Sequence, residues 1–217
     1  MPARGGTSQR ARAQRAPARA PATKGEHTRQ AILRAAIERF GRDGYRATSV
    51  ADIARDASVG GTVAYAYFPN KEALFLAAAD EDAAAVVEEG LAHIADGTVR
   101  DWRTTLMGRL ITAVDAHPLA RRLLAGLEPE VTPRVLGIPA LAELRKAIAE
   151  RLSAEQATGS VRDDIDPSAI ANGVVTIVLS LLMSVVQVGT DAAVMYGDDV
   201  LAVFEAAVDA PAPARRR

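Results

Sequence analysis

At 217 residues, 49% hydrophobic and 24% charged, the chain can bury a sizeable core and is not globally disordered. It contains no cysteine, which rules out disulfides and thiolate metal sites. Its net charge of −1 hides a division: residues 1–70 hold twelve Lys/Arg against five Asp/Glu (+7), residues 71–217 fourteen against twenty-two (−8), so a polyanion is expected to meet the front only.

Residues 1–23 carry Arg4, Arg10, Arg12, Arg15 and Arg19 among Ala, Pro, Gly, Ser and Gln, with no acid and no apolar periodicity. A disordered basic arm is expected there, suited to phosphate or minor-groove contacts. No apolar run follows it, so no secretory signal is expected. A first helix is predicted over about 26–41 from the helical spacing of Ile32, Leu33, Ala36, Ile37 and Phe40, with Gly41 and Gly44 ending it.

Thr48 or Ser49 can cap a second helix with Val50, Ile53, Ala54 and Ala57 inward, and Ser58-Val59-Gly60 supplies a turn. A third helix over about 60–67 offers Val59, Val63, Ala64, Tyr67 and Phe68 to the core. Two short amphipathic helices joined by a tight turn can place the second in a DNA major groove, and here its outer side carries glycine, threonine and tyrosine. Asn70 then caps a long fourth helix, about 71–95, through Leu74, Phe75, Ala78, Ala85, Val86 and Leu91.

The remainder also reads as helical. Asp101 caps a helix through Trp102, Leu106, Leu110, Ile111 and Val114 that stops at His117-Pro118; a short helix (about 119–126) and a small turn at Thr132-Pro133 follow. Helices are predicted over 138–157, 167–189 and 196–208, with a disordered tail at 209–217. The expected architecture is all-α with about nine helices: a three-helix head at 26–70 and a helical body at 71–208.

Residues 167–190 carry no charge and are long enough to span a bilayer. Acidic flanks (Asp163, Asp164, Asp166; Asp191, Asp198, Asp199) and a polar stripe argue instead for a helix buried between two subunits. Gly173, Thr176, Ser180, Ser184 and Gln187 form that stripe, while Ile177, Val178, Leu181, Leu182 and Val185 supply apolar contact. Gly173, Ile177, Ser180, Leu181, Ser184, Val185 and Phe204 are the expected dimer-interface residues; a membrane-anchored protein is the competing reading.

The pattern of Ile32-Leu33, Ala35-Ala36, Phe40, Gly44-Tyr45, Thr48, Val50, Asp52-Ile53-Ala54, Ala57, Val59, Tyr65, Tyr67-Phe68-Pro69, Lys71-Glu72 and Leu74-Phe75 resembles the TetR family of transcriptional regulators over about 26–86. That resemblance implies a cytoplasmic, ligand-responsive repressor that binds a palindromic double-stranded operator as a homodimer, with a small apolar effector in the body and no cofactor. A DNA-binding dimer without an effector is the alternative. The resemblance further implies that Tyr65 and Lys71 contact phosphate and that Thr48 or Ser49 reaches the DNA backbone. The chain departs from the family where Ser58-Val59-Gly60 replaces the usual Gly-Val-Ser.

Gly60 and Gly61 allow close backbone approach to DNA, and no Arg, Asn or Gln on the third helix offers bidentate base readout. Specificity is then expected from Thr62, Tyr65, Ala66 and DNA shape, with Arg46 or the basic arm adding contacts. His27, His93 and His117 are scattered without metal-ligand spacing, and no catalytic constellation is present, so neither an enzyme nor a metal site is expected. Trp102, Leu106, Met107, Leu110 and His117 are the candidates for an effector pocket.

Overall fold

The computed structural model describes residues 23–92 and 101–209. They form ten helices: α1 (Lys24–Ala47), α2 (Val50–Asp56), α3 (Gly61–Tyr67), α4 (Lys71–Leu91), α5 (Trp102–Val114), α6 (Pro118–Leu124), α7 (Thr132–Val135), α8 (Pro139–Ala157), α9 (Pro167–Val188) and α10 (Asp191–Val208). The all-α expectation holds, and among the described residues the one extended pairing is a lone Val161–Asp209 bridge. The helix beyond the expected nine is α7, a single turn at Thr132-Pro133. The arm expected at 1–23 lies outside the described residues except for Thr23, as do 93–95 of the fourth helix and the tail beyond Asp209.

Local chemistry explains most boundaries. α1 starts earlier than periodicity suggests, because Thr23 and Glu26 form a reciprocal capping box. The helix runs through Gly41 and breaks at Gly44, whose φ of +86° is readily reached only by glycine. Ser49 caps α2 by accepting the Asp52 N–H, and Asn70, Asp101 and Asp166 cap α4, α5 and α9 in the same way. α10 begins at Asp191, five residues before the expected start at 196.

Two apolar clusters hold the helices together. One joins Ile32, Leu33 and Phe40 of α1 to Ile53, Ala64 and Phe68, and is completed by Leu74, Phe75 and Ala78 of α4. It continues into Leu119, Val131, Val135 and Leu141, so the head packs directly onto α6, α7 and α8. Phe40 and Phe75 meet edge-on at 5.0 Å, and burying each contributes about 1.5–3 kcal/mol. The second cluster gathers Val86 and Val87 of α4 with Trp102, Leu110, Leu144, Ile148, Val175, Leu182 and Phe204.

α4 therefore belongs to both cores. Val63, expected in the core, is 40% exposed instead. Two turns of helix present only one inward side, and Ala64 and Phe68 occupy it.

Candidate functional site

The outer side of α3 is open. Gly60, Gly61, Thr62, Val63, Tyr65 and Ala66 are all exposed, Tyr65 at 53%. A Cβ at Gly61 would meet nothing within 4 Å, so the helix tip is bare as well as narrow. Its first turn has no side-chain cap, and the Val63 N–H there donates to the Gly60 carbonyl at 2.9 Å.

The flanking candidates divide. Ser49 is exposed at the start of α2, but its hydroxyl is engaged with Asp52, donating to the carboxylate at 2.7 Å. Thr48 is only 2% exposed and its Oγ1 has no hydrogen-bond partner, so it does not share this surface. Lys71 donates to the Arg46 carbonyl at 3.3 Å and stands over the Tyr45 ring.

Most head arginines are already paired. Arg39 bridges α1 to Asp56 of α2 at 2.6 Å; the hydrogen bond raises the arginine pKa and lowers that of Asp56. Arg42 pairs with Asp43, Arg55 with Asp52, and Arg46 with Glu130 of the α6–α7 loop. Arg29 lies 5.5 Å over the Phe68 ring at the end of α3, adding a cation to that edge.

Behind the head lies a cavity of about 130 Å³. Its walls come from α4 (Val86, Val87), α5 (Leu110, Val114), α6 (Leu123, Leu124), α8 (Leu141, Leu144) and α9 (Val178, Leu182). Among the described residues that line it, Thr132 carries the only hydroxyl and none is charged.

Residues 32–78 match the family profile described as bacterial regulatory proteins, tetR family. Over these residues the chain is similar to the TetR-family head. Members of this family are DNA-binding transcription factors rather than enzymes.

Solved structures agree in fold. A TetR-family chain from Mesorhizobium loti MAFF303099 superposes with a TM-score of 0.67 at 20% identity, covering 87% of this chain and 100% of that one. One from Rhodococcus sp. gives 0.65 at 21% identity, covering 84% and 99%. The repressor FadR of Thermus thermophilus, solved with lauroyl-CoA, gives 0.63 at 24%, covering 86% and 99%. No curated protein sequence matches the chain.

Of the effector-pocket candidates, the fold places Leu110 alone in the apolar cavity. Trp102 is buried elsewhere, donating from Nε1 to Glu155 at 2.7 Å and meeting Phe204 edge-on. Leu106 packs in the body core, and Met107 lines a separate groove between α9 and α10. His117 is held between Asp82, at 2.9 Å from Nδ1, and Glu89, at 3.3 Å from Nε2.

The interface candidates also divide. Gly173, Ile177 and Ser180 are exposed; Ser184 and Val185 are half-buried; Leu181 and Phe204 are buried within the chain. The hydroxyls of Thr176, Ser180 and Ser184 each donate to the carbonyl four residues back, so the stripe presents methylenes rather than free donors. Beside it, Tyr196, Val200 and Val203 of α10 form an apolar groove with Ile177 and Leu181. α9 itself buries Ala171, Val174, Val175, Val178, Leu181 and Leu182 against this chain's own helices.

The sequence shows no sign of Glu128, and it marks Tyr45 only as part of the family pattern, with no role attached. Glu128 sits in a loop with no periodicity to mark it, yet is only 6% exposed, accepting from Arg122 Nε at 2.6 Å and from the Tyr45 N–H at 3.2 Å.

Proposed function

We propose that the chain is a cytoplasmic repressor that binds a palindromic operator as a homodimer and releases it when a small, uncharged, apolar molecule enters the body. The observation that carries this reading is the double membership of α4. Its first turns, Leu74 to Ala78, complete the core of the head, and its later turns, at Ala83, Val86 and Val87, wall the cavity. A ligand that displaces the later turns therefore moves the head, and in a two-headed assembly the head separation is the two-state element.

In this reading a DNA head (about 26–70) is followed by an effector and dimerisation body (71–208), with α4 as the link between them. The wall chemistry supports a ligand without charge, since burying a charge beside these side chains leaves it unpaired. FadR of Thermus thermophilus, similar in fold, was solved with lauroyl-CoA; here a charged headgroup would have to remain outside the cavity. The exposed α9–α10 groove is the surface on which a second copy docks, and two copies are what a palindrome requires.

The test has two arms. Selection from a random duplex pool is expected to return an inverted repeat with half-sites about one helical turn apart. Thermal unfolding with matched twelve-carbon compounds is expected to give a rise in Tm with dodecanol and none with dodecanoate. An asymmetric single site overturns the dimeric repressor; a response to the acid alone overturns the neutral ligand.

A further inference from the structure

We propose that the α6–α7 loop is a latch between the cavity and the elbow that joins α1 to α2, with Glu128 as its positioning residue. The inference rests on the cavity reading given under Proposed function and adds a route from the cavity wall to the DNA-contacting residues.

The contacts run without a gap. Leu124 and Thr132, at either end of the loop, both line the cavity. The Thr132 hydroxyl donates to the Glu128 carbonyl at 2.8 Å, tying the cavity wall to the glutamate's backbone. The Glu128 side chain turns the other way and accepts the Tyr45 N–H, one residue beyond the break at Gly44. Gly44 leaves room for this grip: a Cβ there would lie 2.6 Å from Glu128 Oε1. Tyr45 in turn carries the Lys71 ammonium on its ring, and the Arg46 carbonyl accepts from that ammonium.

Glu130, in the same loop, pairs with the Arg46 side chain. Two acids of one loop thus hold consecutive elbow residues, and that elbow supports both Arg46 and Lys71. A merely structural ion pair between Arg122 and Glu128 has no need of the Tyr45 N–H. The carboxylate gives one acceptor to the Tyr45 N–H, one residue beyond the Gly44 break.

The test uses the full chain, an operator duplex selected by it, and N-phenyl-1-naphthylamine, a neutral probe that fluoresces in apolar surroundings. For the unaltered chain, operator binding is expected to weaken the probe at least about fivefold, the lower end of ordinary coupling between sites. Glu128→Gln is expected to hold the probe within about twofold of normal without DNA, and to lose the operator's effect on it. Its operator affinity should fall with a salt slope flattened by about 0.9, one phosphate contact, which a destabilised but correctly oriented head would not show.

Thr132→Val keeps the volume, removes the tie to Glu128 and should also reduce the coupling, which covers a failure of Glu128→Gln to fold. Either variant folding with undiminished coupling overturns the latch. A probe that binds but ignores the operator also overturns it. A probe that does not bind overturns the cavity reading, and the latch with it, while leaving the DNA head untouched.

Discussion

The Lys71 ammonium stands 4.5 Å from the centroid of the Tyr45 ring, at the first position of α4. A cation there opposes the helix dipole, and the ring with the Arg46 carbonyl offsets the cost while leaving the side chain half-exposed. Lys71→Ala is expected to weaken operator binding and flatten the salt slope by about 0.9. Its effect on stability should be small, because the lost cation–π contact is balanced by relief of the cation's opposition to the helix dipole. Tyr65→Phe, more than half exposed, should weaken the operator with no change in Tm. Titrations at several salt concentrations decide it: two unchanged slopes and affinities would place the docking surface elsewhere.

Ser58 makes the α2–α3 turn at φ +56°, a left-handed conformation that costs a residue with a side chain roughly 1–2 kcal/mol. Two positions on, Gly60 caps α3 without a side-chain hydrogen bond. Ser58→Gly is therefore expected to stabilise the chain by about 1 kcal/mol, raising Tm by about 2–4 °C. Gly60→Ser should add a few tenths more, since a Cβ there meets only Val63 Cγ2, at 3.8 Å. A melting curve with no gain from Ser58→Gly would mean that the turn carries no strain.

Much of this was legible from residue types alone. Asn70, Asp101 and Asp166 announce their helices because a capping side chain acts on its own backbone, and apolar spacing marks which side of α1, α2 or α9 turns inward. Neighbours across the fold are not local. Trp102 and His117 draw attention for their polar tips, yet Glu155, fifty-three residues away, takes one and Asp82, thirty-five away, takes the other. The cavity forms instead where aliphatic side chains of six helices fail to meet, a pattern identical in sequence to ordinary packing. Thr48 matches the family pattern by type, but it is buried at the C-terminal end of α1.

Ile177 is 40% exposed at the centre of α9, beside the exposed Gly173 and Ser180, and a Cβ at Gly173 would meet nothing within this chain. A second copy across a two-fold axis would bring the same side chains against themselves. Ile177→Glu would then set two carboxylates together in an apolar seam. The expected result is a monomer by sedimentation with unchanged helical content, and operator affinity lower by on the order of 100-fold as bivalency is lost. A variant that stays dimeric moves the interface away from α9.

Asp82, 4% exposed, accepts the N–H groups of Leu119 and Ala120 at the start of α6 and also faces His117 Nδ1. Burial by itself lowers the histidine pKa, but hydrogen bonds and charge from Asp82 and Glu89 outweigh it, and the net shift is upward. A raised folded pKa means that the unfolded chain loses its proton first. The stabilisation is complete below the ordinary histidine pKa of about 6.5 and fades as pH rises through the folded value. The Tm advantage over His117→Gln should therefore be largest near pH 6 or below and shrink on the alkaline side. An advantage that is constant or grows with pH would mean that His117 is neutral in the fold. Asp82→Asn should cost more, about 1–3 kcal/mol, because it weakens both α6 backbone contacts along with the histidine pair.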